Sequence, residues 1–398
     1  MKGQAVSSGK IQLILLVLLV LFSPLAIDIY LPALSLISET FHVEQSLAKS
    51  TISLFLFSMG IGQIFAGPLA DKYGRRAVAI AGVGIYAVSA LLAWSAQSME
   101  LMLLSRLTQG LGACATSVAA FATVRDLFGP QKSGRIISYL NGAICFIPAL
   151  APILGSWLTQ TFGWRANFCF MTIFAVSVWS LLWLYMKETA PCLSKAPVFK
   201  FQRYWDVIRN PMFLFHAILC QMAMAVVLAY VTCAPFVLIG DMGISMDNFT
   251  NWFAINAIVN ILACLFVPRL MDWCGVRFVL VSGVVTLLVA GVMLLALYDG
   301  TTPIRFMVPI FVSSVGFASI LGAAAGKALE PFGDKAGTAA AMLGLLQMSG
   351  SGFLVWMMQS IIIEPQFLIA TIMFMTGPAL FILLSKTGQT WYLRSLQT

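Results

Sequence analysis

Charge is scarce in this chain. Only 10% of its 398 residues are Asp, Glu, Lys or Arg and 60% are hydrophobic, where a soluble domain carries about 25% charged residues. No water-soluble fold hides that much apolar surface, so a soluble enzyme or binding domain is excluded. There is no G-x-x-x-x-G-K-[ST] loop, which removes ATP as the energy source. The eight cysteines form no C-x-x-C pair, and the two histidines, His42 and His216, stand alone. Disulfide frameworks and zinc sites both need clustered ligands. The cysteines therefore read as small apolar packing residues. No catalytic triad appears either, and the chain is expected to need no metal and no cofactor.

What is abundant is apolar sequence in long runs. A bilayer core takes about 20 apolar residues per helical span. Runs of that kind lie near 11–36, 46–68, 77–96, 100–123, 136–158, 165–186, 211–239, 249–271, 278–297, 304–326, 337–362 and 366–385. They do not alternate polar and apolar residues as strands of a membrane barrel do. Helices are then the remaining way to satisfy the backbone in lipid. The first run lacks an A-x-A-like cleavage site and contains Asp28 and Pro32, so it reads as a retained helix and not a signal peptide.

The net charge of +8 invites a nucleic-acid reading, and the placement of the basic residues argues against it. With the N-terminus inside, the cytoplasmic loops collect most of the lysines and arginines, among them Lys72, Arg75, Arg76, Arg125, Arg203 and Arg277. The outer side receives Lys49, Arg165 and Arg305, and Arg106 is left inside a helix. That is the positive-inside pattern. It places both termini in the cytoplasm and implies a lipid bilayer, not a nucleic acid, as the partner.

The chain also repeats itself. GPLADKYGRR at 67–76 aligns with PRLMDWCGVR at 268–277, matching Leu69 with Leu270, Asp71 with Asp272, Gly74 with Gly275 and Arg76 with Arg277. Pro32 and Pro235 stand at nearly the same offset, and Phe128-Gly129 corresponds to Phe332-Gly333. The expected organisation is an N-terminal six-helix bundle over 1–187, a cytoplasmic linker over 188–209 and a C-terminal six-helix bundle over 210–398. Two related halves with a substrate path at mid-membrane is the logic of secondary transporters.

Here the motifs carry a resemblance. GPLADKYGRR is similar to the G-x-L-a-D-r-x-G-r-r/k signature of the major facilitator superfamily. IDIYLPAL in the first helix, LSRLTQGLGA in the fourth, VRDLF after it and LNGAICFIPALAPILG in the fifth resemble its Bcr/CflA drug-resistance subfamily. The likeness runs over the whole chain. It implies an all-α membrane protein of twelve helices in two six-helix repeats, and proton-coupled export of drugs such as chloramphenicol or bicyclomycin from bacteria. It also implies a monomer in the inner membrane. The fifth helix departs from the subfamily's G-P-x-x-G-G antiporter motif, reading Ala151-Pro152-Ile153-Leu154-Gly155-Ser156.

Several residues stand out, each with two readings. Asp28 is a carboxylate inside an apolar helix, where charge costs roughly 2.5–3.5 kcal/mol on insertion scales. It is a proton-binding site, or a solvated residue near the outer helix end. Its distance from Ile11, about 26 Å at 1.5 Å per residue, does not decide. Arg106 needs a carboxylate, a backbone carbonyl or water at its depth. It is either a proton-transfer partner, as the resemblance implies, or a packing residue bonded to carbonyls of the first helix. Both charges are confined to the first half, since the equivalent positions fall near Val231 and Ile310.

Gly67, Asp71, Gly74, Arg75 and Arg76, with Asp126, and Asp272 and Arg277 in the repeat, form a candidate latch. Arg75 and Asp126 would complete a charge relay with Asp71, which would cap a helix N-terminus of the other half. The alternative is a solvated loop that only enforces topology. Pro148, Pro152 and Gly155 form a candidate hinge in the fifth helix, by loss of backbone donors, or a tolerated kink. Tyr30, Gln109, Asn141, Cys145, Asn256 and Asn260 are candidates for the substrate cavity. Gln63, Gln221 and Gln347 join them as cavity residues or as glue between helices. A proton-coupled importer on the same fold is the rival function, and a polytopic sensor or membrane enzyme is the more distant one.

Overall fold

The computed structural model describes residues 2–190, 201–332, 336–361 and 364–393. Gly333 of the second Phe-Gly pair and 191–200 of the expected linker lie outside them. Among the described residues, twelve helices are long and apolar enough to span a membrane. They are α1 Ile11–Thr40, α2 Gln45–Tyr73, α3 Arg75–Trp94, α4 Met99–Gly129, α5 Tyr139–Phe162 and α6 Arg165–Tyr185, then α7 Pro211–Asp241, α8 Met246–Cys274, α9 Val276–Leu297, α10 Pro303–Leu329, α11 Gly337–Gln359 and α12 Pro365–Leu384. The fold is therefore the all-helical, twelve-span architecture read from the sequence. No disulfide forms among the described cysteines.

The chain divides into two compact units, Met1–Lys200 and Phe201–Thr398. In each, the first and fourth helices are the inner ones: 56% of the apolar window of α1 and of α4 is buried, 78% of α7 and 61% of α10, while no other span exceeds 44%. The outer helices present large apolar side chains such as Leu184, Trp273 and Phe381, which in a membrane is ordinary lipid contact and not an exposed patch.

Both units interrupt their first helix near the same proline. In α1 the regular helix stops at Asp28 and resumes as a 3₁₀ turn over Leu31–Ala33 and a short helix to Thr40. Pro32 has no N–H for the Asp28 carbonyl, and its ring crowds that carbonyl. In α7 the helix runs to Pro235 and continues as a π-helical turn over Phe236–Asp241. A second π-turn, Leu345–Gly350, sits in the middle of α11.

The loops between second and third spans are built alike. Gly74 has φ +98° and Gly275 φ +84°, a backbone that only glycine adopts freely. Helix pairs α3/α4 and α9/α10 are in close contact at glycine. A Cβ on Gly112 would lie 2.7 Å from the Gly82 carbonyl oxygen, and one on Gly316 would lie 3.0 Å from that of Gly283.

The part of the expected linker that is described holds a helix, Phe201–Ile208, which belongs to the second unit and buries Tyr204 and Val207. The helix Lys386–Leu393 is tied to α7 through Tyr392. His216 Nδ1 lies 2.7 Å from the Met212 carbonyl, so it carries the proton, and Nε2 accepts from the Tyr392 hydroxyl at 2.7 Å.

Gly112→Val is expected to lower the melting temperature of the purified protein, by about 1–3 kcal/mol of overpacking. Gly142→Ala, at a site with nothing within 4 Å of a new Cβ, is expected to leave it unchanged; equal melting of the two variants would count against the close α3/α4 contact.

Candidate functional site

The break in α1 gathers the first unit's charged and polar interior. Ending a helix leaves carbonyls without intrahelical donors. The Ala26 carbonyl is one of these, because its i+4 partner, Tyr30, lies past the helix end. Arg106 of α4 meets it: Nη2 donates to the Ala26 oxygen at 2.7 Å. A cation at a helix C-terminus also complements the helix dipole. Nη1 of Arg106 donates to Oε1 of Gln109. The guanidinium lies over the rings of Tyr30 (4.8 Å) and Phe55 (4.7 Å), where cation–π attraction adds to the hydrogen bonds. Arg106 has no exposed surface, and its Nε has no hydrogen-bond partner.

The rest of the shell is equally specific. The Thr51 hydroxyl donates to the Ala48 carbonyl at 2.7 Å, so the Tyr30 hydroxyl is the donor in its 2.9 Å bond to Thr51. Met171 of α6 accepts from the Tyr86 hydroxyl at 3.3 Å and from Gln109 Nε2 at 3.7 Å. On the far side, Gly155 of α5 lies against the backbone of α1, and a Cβ there would overlap the Ile29 carbonyl. Gly155 thus acts as a contact point, not as a joint. The backbone of α5 stays helical through Pro148 and Pro152, and the non-helical residue between α4 and α5 is Gly129, with φ +65°. The turn at Gly129 belongs to the connection between the two spans, where glycine permits a positive φ.

Asp28 sits at this break, 5% exposed. The span continues as a 3₁₀ turn and a short helix to Thr40 beyond it, so Asp28 is buried inside the span and not at its outer end. Among the described residues it makes no hydrogen bond or ion pair. Arg106 makes no ion pair with Asp28 among the described residues and spends its donors on Ala26 and Gln109, which is the carbonyl-binding reading of Arg106. Tyr30 and Gln109 carry no exposed surface and pack around Arg106. Asn141 is exposed and Cys145 half-buried on α5. Asn256 accepts from the Ser314 hydroxyl at 2.8 Å, joining α8 to α10, and Asn260 accepts from the Cys264 thiol one turn on.

The loop before α3 forms a second cluster. Arg75 bridges two carboxylates, with Nη1 2.5 Å from Asp71 and Nε 3.0 Å from Asp126. Arg76 donates from Nη2 to the Trp183 carbonyl at 2.9 Å and lies over the Trp183 ring. Its repeat partner does the same: Arg277 Nε donates to the Leu383 carbonyl at 2.9 Å. In each unit, then, the same arginine caps the end of the sixth helix. Val276 stands where Arg75 would be, so the relay has no counterpart. Asp272 is exposed, and the second unit pairs Lys327 with Glu330 instead, at 2.7 Å. Gly67 has nothing within 4 Å of a Cβ.

A profile of the family described as Major Facilitator Superfamily matches residues 16–355. The chain belongs to that superfamily. Among curated relatives, the multidrug resistance protein MdtL of Escherichia coli O157:H7 (strain EC4115 / EHEC) is 30% identical over 342 residues, 85% of this chain and 86% of its own. The MdtL protein of Escherichia coli O81 (strain ED1a) is 31% identical over 339 residues, with the same coverage. Among solved structures, a bacterial homologue of the human lysosomal transporter Spinster, inward-facing and unoccupied, has a TM-score of 0.75 at 14% identity, covering 96% of this chain and 97% of its own. The D-xylose-proton symporter has a TM-score of 0.74 at 16% identity, covering 93% and 96%. These two share the superfamily's fold.

One partner of the superfamily loop escaped the sequence reading. The Glu188 carboxylate, just beyond α6, accepts from the backbone N–H groups of Arg75 at 2.8 Å and Arg76 at 3.1 Å, and from those of Thr189 and Ala190. It caps the N-terminus of α3. So α3 and α6 clasp each other: Arg76 holds the end of α6 and Glu188 holds the start of α3. The sole sequence signal is an acidic residue in a basic cytoplasmic segment, 113 positions from Arg75.

Partial burial pushes the Glu188 carboxyl up, but the N–H groups of Ala190, Arg75, Thr189 and Arg76 outweigh it and hold it below the ordinary carboxylate range. A depressed carboxyl stabilises the fold above its unfolded value, about 4.3, and loses that contribution as the pH falls through the folded one. Glu188→Gln is therefore expected to melt earlier than wild type at pH 7. The gap should close as the pH drops below about 4, as read by melting curves of purified protein across pH; a gap that stays constant with pH would remove the cap.

Proposed function

We propose that this chain exports small drug-like molecules in exchange for protons, by alternating access, across a bacterial inner membrane with both termini in the cytoplasm. The relatedness to MdtL proteins over 85% of the chain supports the substrate class. Asp28 carries the coupling: a buried carboxyl at the break of an inner helix, unpaired among the described residues. Charge at such a place costs roughly 2.5–3.5 kcal/mol. A proton removes that cost, and so does a cationic or polar substrate group, so the two compete for one site. Arg106 holds the broken end of α1 and thereby keeps Asp28 in position. Each proton brings about 2.3 kcal/mol per 100 mV of membrane potential, which serves as the energy source with no further cofactor. The Asp71–Arg75–Asp126 relay and the Arg76–Glu188 clasp are the latch of the inner side. Chloramphenicol- and bicyclomycin-like compounds are the expected substrates, and the monomer is the working unit.

In inverted vesicles, wild-type protein is expected to move protons when drug is added, and Asp28→Asn is expected to bind drug without moving protons. Normal coupling in Asp28→Asn would remove Asp28 from the mechanism.

A further inference from the structure

The second unit contains polar side chains that the proton site does not use. Gln221 lies on α7, the most buried span. Its amide covers Gly350, so closely that a Cβ there would lie 2.6–2.9 Å from the amide atoms. Gly350 closes the π-turn Leu345–Gly350, which also contains Gln347. Three other intramembrane glutamines hold helices together: Gln12 bonds the Tyr185 carbonyl, Gln109 bonds Met171 of α6, and Gln359 bonds Thr232 at 2.8 Å. Gln221 and Gln347 make no side-chain hydrogen bond among the described residues, and both are half-buried.

An amide has two donors and two acceptor positions. Turned to lipid, all would go unmet, at a cost of several kcal/mol. Half-buried between α7 and α11, both amides retain hydrogen-bonding capacity for a polar group that reaches them from inside the bundle. The π-turn that presents Gln347 has its freed carbonyls met from the next turn: the Ser351 hydroxyl lies 2.5 Å from the Gln347 carbonyl and 3.0 Å from that of Met348. Such turns recur at functional sites because they aim side chains that a regular helix would not. Residues 211–238 and 337–359 contain no Asp, Glu, Lys or Arg, so the groups recognised here are uncharged. Met222, Met224 and Met348 flank the site, half-buried, and re-pack readily around different shapes.

We propose that Gln347, presented by the π-turn of α11, and Gln221 of α7, packed against that turn at Gly350, form a hydrogen-bonding subsite for uncharged amide, hydroxyl or carbonyl groups of the transported molecule. This rests on the reading of the chain as a drug exporter. The first unit then handles charge through Asp28, and the second handles neutral polarity.

Two probes separate the roles. Chloramphenicol carries an amide and hydroxyls and no charge, and tetraphenylphosphonium carries charge and no hydrogen-bonding group. Export of both is measured in cells producing the full chain. Gln221→Leu and Gln347→Leu are each expected to reduce chloramphenicol export about 2- to 10-fold, one hydrogen bond's contribution, and to leave tetraphenylphosphonium export unchanged. Gly350→Ala, which displaces the Gln221 amide, is expected to show the same selective loss. Unchanged chloramphenicol export in these variants, or equal loss of both probes, overturns the subsite while drug export stands. Wild-type cells that export neither probe overturn the proposed function itself.

Discussion

A helix that stops inside a membrane exposes carbonyls where no water can reach them. The bond from Arg106 to the Ala26 carbonyl answers that constraint, and the first unit is arranged around it. Pro32 creates the break. Arg106 caps it, Gln109 holds Arg106, and Met171 receives Gln109 and Tyr86. Tyr30 and Phe55 cover the guanidinium from its faces. Gly155 brings α5 onto the freed backbone at Ile29. The other five spans of the unit thus converge on one interrupted turn of α1, and Asp28 is the residue left there without a partner among the described residues.

The two units share a scaffold and differ in their charges. Positive-φ glycines, close glycine contacts and an arginine on the last turn of the sixth helix recur in both. The buried acid, the buried arginine and the Arg75 relay do not. Scaffold features are backbone geometry, which any repeat must keep to fold. The charges are additions that a single copy suffices to provide.

The sequence disclosed the parts whose physics is one-dimensional. Span number follows from run length and hydropathy, and the repeat follows from spacing. Asp28 and Arg106 stand out because charge in an apolar run is visible without a fold. Partners were not legible. Arg106 had a carboxylate and a carbonyl as equal options, and the choice depends on where α1 breaks relative to α4. Glu188 looked like one more linker charge, because its partners are backbone N–H groups that no side-chain pattern marks. Pro148 and Pro152 suggested a joint or a tolerated kink, and the backbone is helical through both. Gln221 and Gln347 were indistinguishable from Gln109 or Gln359 by type, and only the contacts they make separate them.

A π-turn is an α-helix with one residue too many. At 3.6 residues per turn, one residue is about 100° of rotation. Everything in α11 after Gly350 is therefore phased a quarter-turn or so away from where a regular helix would set it. The bond from Gln359 to Thr232 belongs to that shifted phase. Removing a single residue from Leu345–Gly350 would keep the hydropathy, the span and every side chain beyond it, and would still point the lower half of α11 at the wrong neighbours.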